Sequence, residues 1–382
     1  MRLRRGVAPL GALATTAVLA AAVSAVTAPV DASSAAHESV QQSGGHRQPA
    51  PRLDHIFVIM LENHSKSSVI GDPNAPYLTH LARTHAMADR YYGVTHPSMP
   101  NYIATIAGDN FGIQDDEDEN VRHLDRRNLV DQLENHSVRW AAYMESLPKN
   151  KQARFSPSED VPLYAKKHNP FVLFSDIKHN ADRMRHVRNY NRLAGDLNRR
   201  RAPHFVWISP NQCHDMHGGV YTAVPGHPET PCPYGSTRDD PNDAALKHKA
   251  DRFVHQTVRT IRQSDAWTSR SAIVIVTDEN DYTGKERTGG WGSAAGCCDS
   301  PYVAAADPRI SPQWPGGTYG GGRIPAIIIS PSGPHHYVDH RRYNHYSLLT
   351  TIEENWHMSY LGHAGDTAGD VYPMWRLFDR RR

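Results

Sequence analysis

The sequence predicts an α/β fold: a doubly wound, mostly parallel sheet with helices on both faces. Three observations carry this. Short apolar runs recur along the 382-residue chain, at His55–Leu61, Arg139–Met144, His204–Ser209, Ala272–Thr277 and Ile324–Ser330. The clearest are continuous in Val, Ile and Leu, the pattern of strands buried on both faces. Segments of helical type lie between them, at Pro76–Ala88, Met99–Ala107, Asn128–Asn135, Arg192–Arg199, Pro241–Gln263 and Tyr346–Trp356, and such alternation builds parallel sheets. Finally, two strands run straight into metal-type ligands, one into Glu62-Asn63 and the other into Asp278-Glu279. Ligands of open α/β sheets sit outside the carboxyl ends of the strands, so these two ends predict one site at one sheet edge.

Hydrophobic residues make up 39% and charged residues 21% of the chain, enough for a full core in one large domain. Arg2, Arg4 and Arg5 before the apolar, Ala-rich run Gly6–Val23 predict an export signal over residues 1–36, of the general secretory type more than the twin-arginine type. Residues 37–52 predict a disordered linker, and residues 53–382 a single domain. Removing Arg2, Arg4, Arg5 and Asp31 from 42 basic and 40 acidic residues leaves 39 of each, so no bulk charge draws the chain to nucleic acid. No later stretch is apolar enough to span a bilayer, so no stable membrane insertion is expected once the signal is removed. Cys213, Cys232, Cys297 and Cys298 suit an oxidising compartment, with three pairings open. The acidic run Gln114–Asn120, the arginines Arg183, Arg185 and Arg188, and the tail Arg380–Arg382 read as solvated faces. Residues 284–322 are Gly-rich and read as a long loop able to cover the site.

Glu62 and Asn63 offer hard oxygen donors for a cation; the alternative is a solvated loop start with Asn63 as a helix cap. In Thr95-His96-Pro97-Ser98-Met99-Pro100-Asn101-Tyr102 two prolines confine the chain around Ser98, and the apolar Tyr102–Ala107 that follows looks helical. Ser98 then sits at a helix N-terminus, where backbone N–H groups favour anions such as phosphate, or serves only as a cap. No GxSxG elbow marks a Ser-His-Asp hydrolase, so this serine needs a metal to lower its pKa. After strand His204–Ser209 come Asn211, His214, Asp215 and His217, candidates for further ligands, phosphate contacts or a general acid. His345 opens a later helix and is a candidate substrate contact or cap.

Five motifs in order resemble the bacterial phosphoesterase family of acid phosphatases and phospholipase C-type enzymes, within the alkaline phosphatase-like superfamily. They are Leu61-Glu62-Asn63-His64-Ser65, Thr95 to Tyr102, Pro210-Asn211 to Asp215-Met216-His217, Asp278-Glu279, and Asn344-His345-Tyr346-Ser347. The resemblance covers residues 53–360. It implies a divalent metal, Mg, Ca, Mn, Zn or Fe, held by Glu62, Asn63, Ser98, Asp278 and Glu279. It further implies Ser98 as a nucleophile forming a phosphoserine, Asn101 as a donor to the phosphate oxygens, and His96, His214 and His217 around the phosphate. His214 or His217 is the expected acid for the leaving group; Asn211, Asp215, His96 and His345 are expected substrate contacts. The expected activity is secreted phosphomonoester hydrolysis on a phosphate ester. A phospholipase C-like phosphodiesterase is the alternative, though the first motif reads Glu62-Asn63-His64-Ser65-Lys66-Ser67 and departs from that branch. A catalytically silent metal- or anion-binding module is the second alternative. Sulfatases of the superfamily carry Cys/Ser-x-Pro-x-Arg, and Tyr102 stands at the Arg position here.

Overall fold

Seven consecutive buried residues form β1 (His55–Leu61), and seven more form β6 (Ser271–Thr277). A computed structural model describes residues 53–150, 152–155, 161–235, 240–280, 302–303, 317–318 and 320–380. The expected export signal and linker, Cys297 and Cys298, most of the Gly-rich segment, and Arg381 and Arg382 lie outside the described residues. The other strands are β2 (Ala86–Tyr92), β3 (Trp140–Met144), β4 (Val187–Asn189), β5 (Phe205–Ser209), β7 (Tyr302–Val303), β8 (Gly317–Thr318), β9 (Arg323–Ile329) and β10 (Tyr337–Asn344). Eight of them make one sheet in the order β10-β2-β9-β6-β1-β5-β3-β4, while β7 and β8 pair separately. β1 is parallel to both β5 and β6, β3 to β5 and β4, and β10 to β2; β9 alone is antiparallel, between β6 and β2.

Alternation along β1 shows why helices cover both faces. Ile56, Val58 and Met60 enter one core with Met99, Ile103, Leu133 and Leu348. Phe57, Ile59 and Leu61 enter the opposite core with Leu78, Leu197, Val254 and Ile261. Each fully buried aliphatic side chain contributes about 1.5–3 kcal/mol, so a strand with no polar face is stable only between two helical layers. The helix Pro241–Arg262 starts with Asp240 accepting from Asn242 N and Pro241 in its first turn. It lays Ala250, Val254, Val258 and Ile261 on the sheet at helical spacing, while Leu246 one turn earlier packs with Cys213, Val220 and Cys232.

Three strands of the eight-stranded sheet escape the sequence pattern. The predicted helix Pro76–Ala88 ends at Thr84, and β2 begins two residues later. Ala86-Met87-Ala88 are good helix formers, yet here they pair with both β9 and β10, so tertiary pairing overrides propensity. β4 has three residues, and β10 carries Asp339, His340, Arg341 and Arg342.

Register positions the site. Leu61 pairs with Thr277, so Glu62 and Asp278 leave the sheet side by side. Ile59 pairs with Ile208, which brings the loop after β5 to the same edge. A disulfide joins Cys213 to Cys232 across 19 residues and constrains that loop. The Cys213→Ser/Cys232→Ser variant is expected to lose about 3 kcal/mol of unfolding free energy, the loop-closure value for this separation, measured by urea denaturation against the oxidised parent.

Candidate active site

β1 leads into Glu62, whose carboxylate is fully buried. Asn63 follows at φ 48°, a left-handed conformation that Asn tolerates better than most residues. Its N–H donates to Asp278 Oδ1 at 3.0 Å, joining positions 215 residues apart. Asp278 Oδ1 also accepts from Glu279 N at 2.7 Å. Ser98 opens the helix Ser98–Ala107 directly after a cis His96–Pro97 bond. Its Oγ donates to Glu62 Oε2 at 3.0 Å, so hydroxyl and carboxylate meet at the sheet edge. Gly93 and Gly321 let backbones close in beneath: a Cβ on Gly93 would lie 2.7 Å from Asp278 O.

Glu62, Asp215, Asp278 and Glu279 are all buried here. Burial, then Asp278 and Asp215, hold the Glu62 carboxyl well above the usual carboxylate range. Burial and Glu279 push Asp278 up to about 8. Burial also raises Asp215 well above its ordinary value, and Glu279 less so because His96 eases it. These acids therefore require protons or a cation.

The orphaned atoms favour a cation. Glu62 Oε1, Asp278 Oδ2 and His168 Nε2 have no hydrogen-bond partner among the described residues. His168 Nδ1 lies 3.2 Å from Asp215 Oδ2; with Asp215 ionised, as a bound cation would keep it, that carboxylate only accepts and the proton belongs on Nδ1. The bare Nε2 lone pair then faces Glu62 Oε1 at 3.2 Å. Two facing acceptors repel until something positive sits between them. His217 follows the same logic: its Nδ1 donates to Gly218 O at 2.9 Å, leaving Nε2 as a lone pair. Glu62, His168 and His217 bring ligand atoms within 4.8 Å of one another. Burial drives His168 well below the ordinary histidine value and His217 down to about 4, so both rings are neutral, as ligands must be. Asp215 orients His168, the arrangement that fixes a ligand's tautomer.

Several expected residues act elsewhere. Asn101 is no open phosphate donor: its Oδ1 accepts from Val94 N and Thr95 N, and its Nδ2 donates to Thr95 O, Pro97 O and Glu279 Oε2. The amide staples the Ser98 loop to Glu279. His96 Nδ1 lies 3.0 Å from the same Glu279 oxygen, and its Nε2 2.8 Å from Asn280 Oδ1. Burial would lower His96, but Glu279 holds it above its usual value. His214 turns away, with Nδ1 3.0 Å from Glu145 and its ring stacked on Phe253. Asn211 donates through its backbone to Glu145 Oε2 and through its side chain to Ser146 Oγ. His345 Nε2 lies 2.6 Å from Asp278 O and Nδ1 3.2 Å from Tyr91 OH, which anchors the backbone of Asp278 rather than a substrate. The run Gln114–Asn120 is part-exposed, as expected, and ion pairs of Asp116 with Lys167 and Asp118 with Lys166 fasten it. Arg183 binds Asp131, Glu134 and Asp176, and Arg188 binds Asp196. His168 is the site residue the sequence hides, within an irregular Lys166–His168 turn that follows no strand.

A family model described as the Phosphoesterase family matches residues 72–227 and 235–359. The chain belongs to the Phosphoesterase family. Among relatives of this family member, a probable acid phosphatase of Kluyveromyces lactis is 25% identical over 319 residues, 81% of this chain and 60% of its own. An acid phosphatase of Aspergillus fumigatus is 32% identical over 168 residues, 43% of this chain and 37% of its own. The chain thus spans at most 60% of the length of these curated relatives. The structure of murine ectonucleotide pyrophosphatase/phosphodiesterase 5 matches with a TM-score of 0.50 at 10% identity, over 83% of this chain and 99% of that one. The two share a fold, and the eight-stranded, mostly parallel sheet with helices on both faces is the one expected from sequence.

A raised carboxyl pKa means that the folded state holds more protons than the unfolded chain. The carboxyl cluster's contribution to the stability of metal-free protein is therefore fully present below the ordinary carboxylate range and is lost as pH rises toward the Asp278 value of about 8, while the neutral His168 and His217 act in the opposite sense, losing their contribution as pH falls below the ordinary histidine value. Added divalent metal is expected to raise the melting temperature of chelator-treated protein more at pH 8 than at pH 5, because the ligand carboxyls no longer have to give up protons to the solvent; calorimetric scans at both pH values check this.

Proposed function

We propose that this chain is a metal-dependent hydrolase of phosphate esters, of the acid phosphatase type, with Ser98 as nucleophile. The observation that carries this reading is the Ser98 Oγ–Glu62 Oε2 hydrogen bond at 3.0 Å, inside a buried acidic pocket with orphaned ligand atoms. The family match and the fungal acid phosphatase relatives support the same activity. The disulfide supports the expected secretion.

Glu62, His168 and His217 would hold the metal, with Asp278 Oδ2 aimed into the same pocket and Asp215 behind His168. Two imidazoles beside carboxylates suit Zn, Fe or Mn better than Mg or Ca. Bound there, such an ion supplies positive charge to a phosphoryl group and lowers the pKa of a nearby hydroxyl. Glu62 Oε2 accepts the Ser98 proton and orients the oxygen for in-line attack. The first turn of the Ser98 helix adds favourable potential for the anion. A phosphoserine forms as the ester P–O bond breaks and the alcohol leaves with a proton from solvent; water then cleaves the phosphoserine P–O bond, Ser98 recovers its proton from Glu62, and phosphate departs. Asn101 and the His96–Glu279 pair keep the serine loop in place throughout.

Phosphate release from p-nitrophenyl phosphate, measured across metals and pH, tests the proposal. Wild type is expected to turn over, chelator to abolish the rate, and Ser98→Ala to lower it by at least about 10³-fold with the melting temperature kept. Undiminished hydrolysis by Ser98→Ala would sink the nucleophile assignment. His168→Ala and His217→Ala are each expected to reduce bound metal, read by elemental analysis, while His214→Ala leaves it unchanged; equal metal content in all three would remove the imidazoles from the ligand set.

A further inference from the structure

Beside His217 opens a cleft of about 780 Å³, lined by Asp116, Asp118, Lys166, Lys167 and Tyr221 among others. Lys167 precedes His168 in the chain, and its side chain is about one-fifth exposed, at 21%. Its Nζ lies 2.7 Å from Asp116 Oδ2, while Asp116 Oδ1 accepts from Met99 N at 3.0 Å. One carboxylate thus links the lysine ammonium to the backbone directly after Ser98. Asp116 also occupies a helix N–H that a phosphate could otherwise use. Lysine 166 pairs with Asp118 alongside, so the acidic loop and the Lys166–His168 turn are fastened at two points.

A partly exposed ion pair contributes little stability, which leaves the placement of this one to be explained. Lys167 lines this cleft together with His217, whose ring reaches the pocket of Glu62 and His168, and Lys167 directly precedes His168 in the chain. Its ammonium thus sits where the cleft meets the acidic pocket. Beyond a divalent ion, a pocket with four buried carboxylates needs further positive charge to accept a phosphate anion.

We infer that Lys167 is a specificity-determining residue, its ammonium binding the third unesterified oxygen of a phosphomonoester and Asp116 holding it in position. The inference rests on the Ser98-centred reading above. A monoester has three such oxygens and a diester two, the remaining position carrying an organic group. A donor fixed on the third oxygen therefore selects monoesters at any pH. Ammonium groups are established phosphate binders, and charge-assisted bonds of this kind are the stronger ones.

The test compares wild type, Lys167→Met and Asp116→Asn on p-nitrophenyl phosphate and bis(p-nitrophenyl) phosphate, with inorganic phosphate binding to metal-loaded protein followed by calorimetry. Lys167→Met is expected to lose roughly 10- to 100-fold in kcat/KM for the monoester and similarly in phosphate affinity. The diester rate is expected to change less than about threefold, with metal content and melting temperature kept. Asp116→Asn retains the ammonium and an accepting oxygen beside it, and is expected to lower the monoester-to-diester ratio by about threefold, less than Lys167→Met does. Lys167→Gln repeats the comparison if the methionine variant does not fold. The inference is overturned if Lys167→Met leaves that ratio unchanged, or if Asp116→Asn lowers it equally, which would make the pair purely architectural. A wild type inactive on both esters would instead defeat the Ser98-centred reading, and the phosphate affinities of wild type and Lys167→Met would still decide the role of Lys167.

Discussion

Four carboxylates buried in one pocket form the constraint around which this molecule is organised. Glu62, Asp215, Asp278 and Glu279 repel one another where water cannot screen them. Folding them together is unfavourable unless each finds a donor, a proton or a cation. Glu279 finds His96 and Asn101; Asp215 finds His168 and the backbone of His217; Asp278 finds two backbone N–H groups. Glu62 finds the serine hydroxyl with one oxygen and, among the described residues, no hydrogen-bond partner with the other. That oxygen lies with ring nitrogens of His168 and His217, the three ligand atoms within 4.8 Å of one another, a group that could hold a metal ion.

Such a cluster needs a rigid frame. Parallel pairing of β1 with β6 sets Glu62 beside Asp278 in register, and the buried Ile and Val side chains on both faces resist slippage, since a one-residue shift would reverse every side chain. Behind this layer, His345 holds Asp278 O and Asn101 holds the turn before Ser98. Another buried network ties the first motif to the long helix: His64 Nε2 meets Asp243 Oδ1 at 2.7 Å, and Lys247, fully buried, pairs with Asp72 and Asp243. Removing one member of such a network leaves an uncompensated charge in the core.

The site also shows how residues near a reaction divide their labour. Histidines flanking a strand end look equivalent in sequence, yet each does something different here. His217 offers a neutral lone pair to the pocket, His214 stacks on Phe253 beside Glu145, His96 pairs with Glu279, and His345 supports a backbone carbonyl. The difference lies in the partner of each ring nitrogen, because that partner sets tautomer and charge.

The strands β1, β5, β6 and β9 and the helix Ser98–Ala107 were legible from the residues because burial on two faces leaves a mark in composition, and apolar runs ending in acids mark a sheet edge. Glu62 and Asp278 followed from those marks as candidate site residues, and Ser98 from the prolines on either side of it and the helix that follows. β2 and β10 were not legible, since Ala86-Met87-Ala88 and the charged Asp339–Arg342 stretch become strands through pairing with each other and, for β2, with β9. His168 and Lys167 were hidden for the same reason: they lie in a short irregular turn, and their meaning comes from Glu62 and Asp116. Asn101 was visible in its motif while its hydrogen bonds were not. Local sequence records which side chains must leave water. Which donor then meets which acceptor, across tens to hundreds of residues, is set by the folded backbone, because no periodicity encodes a distance between side-chain atoms.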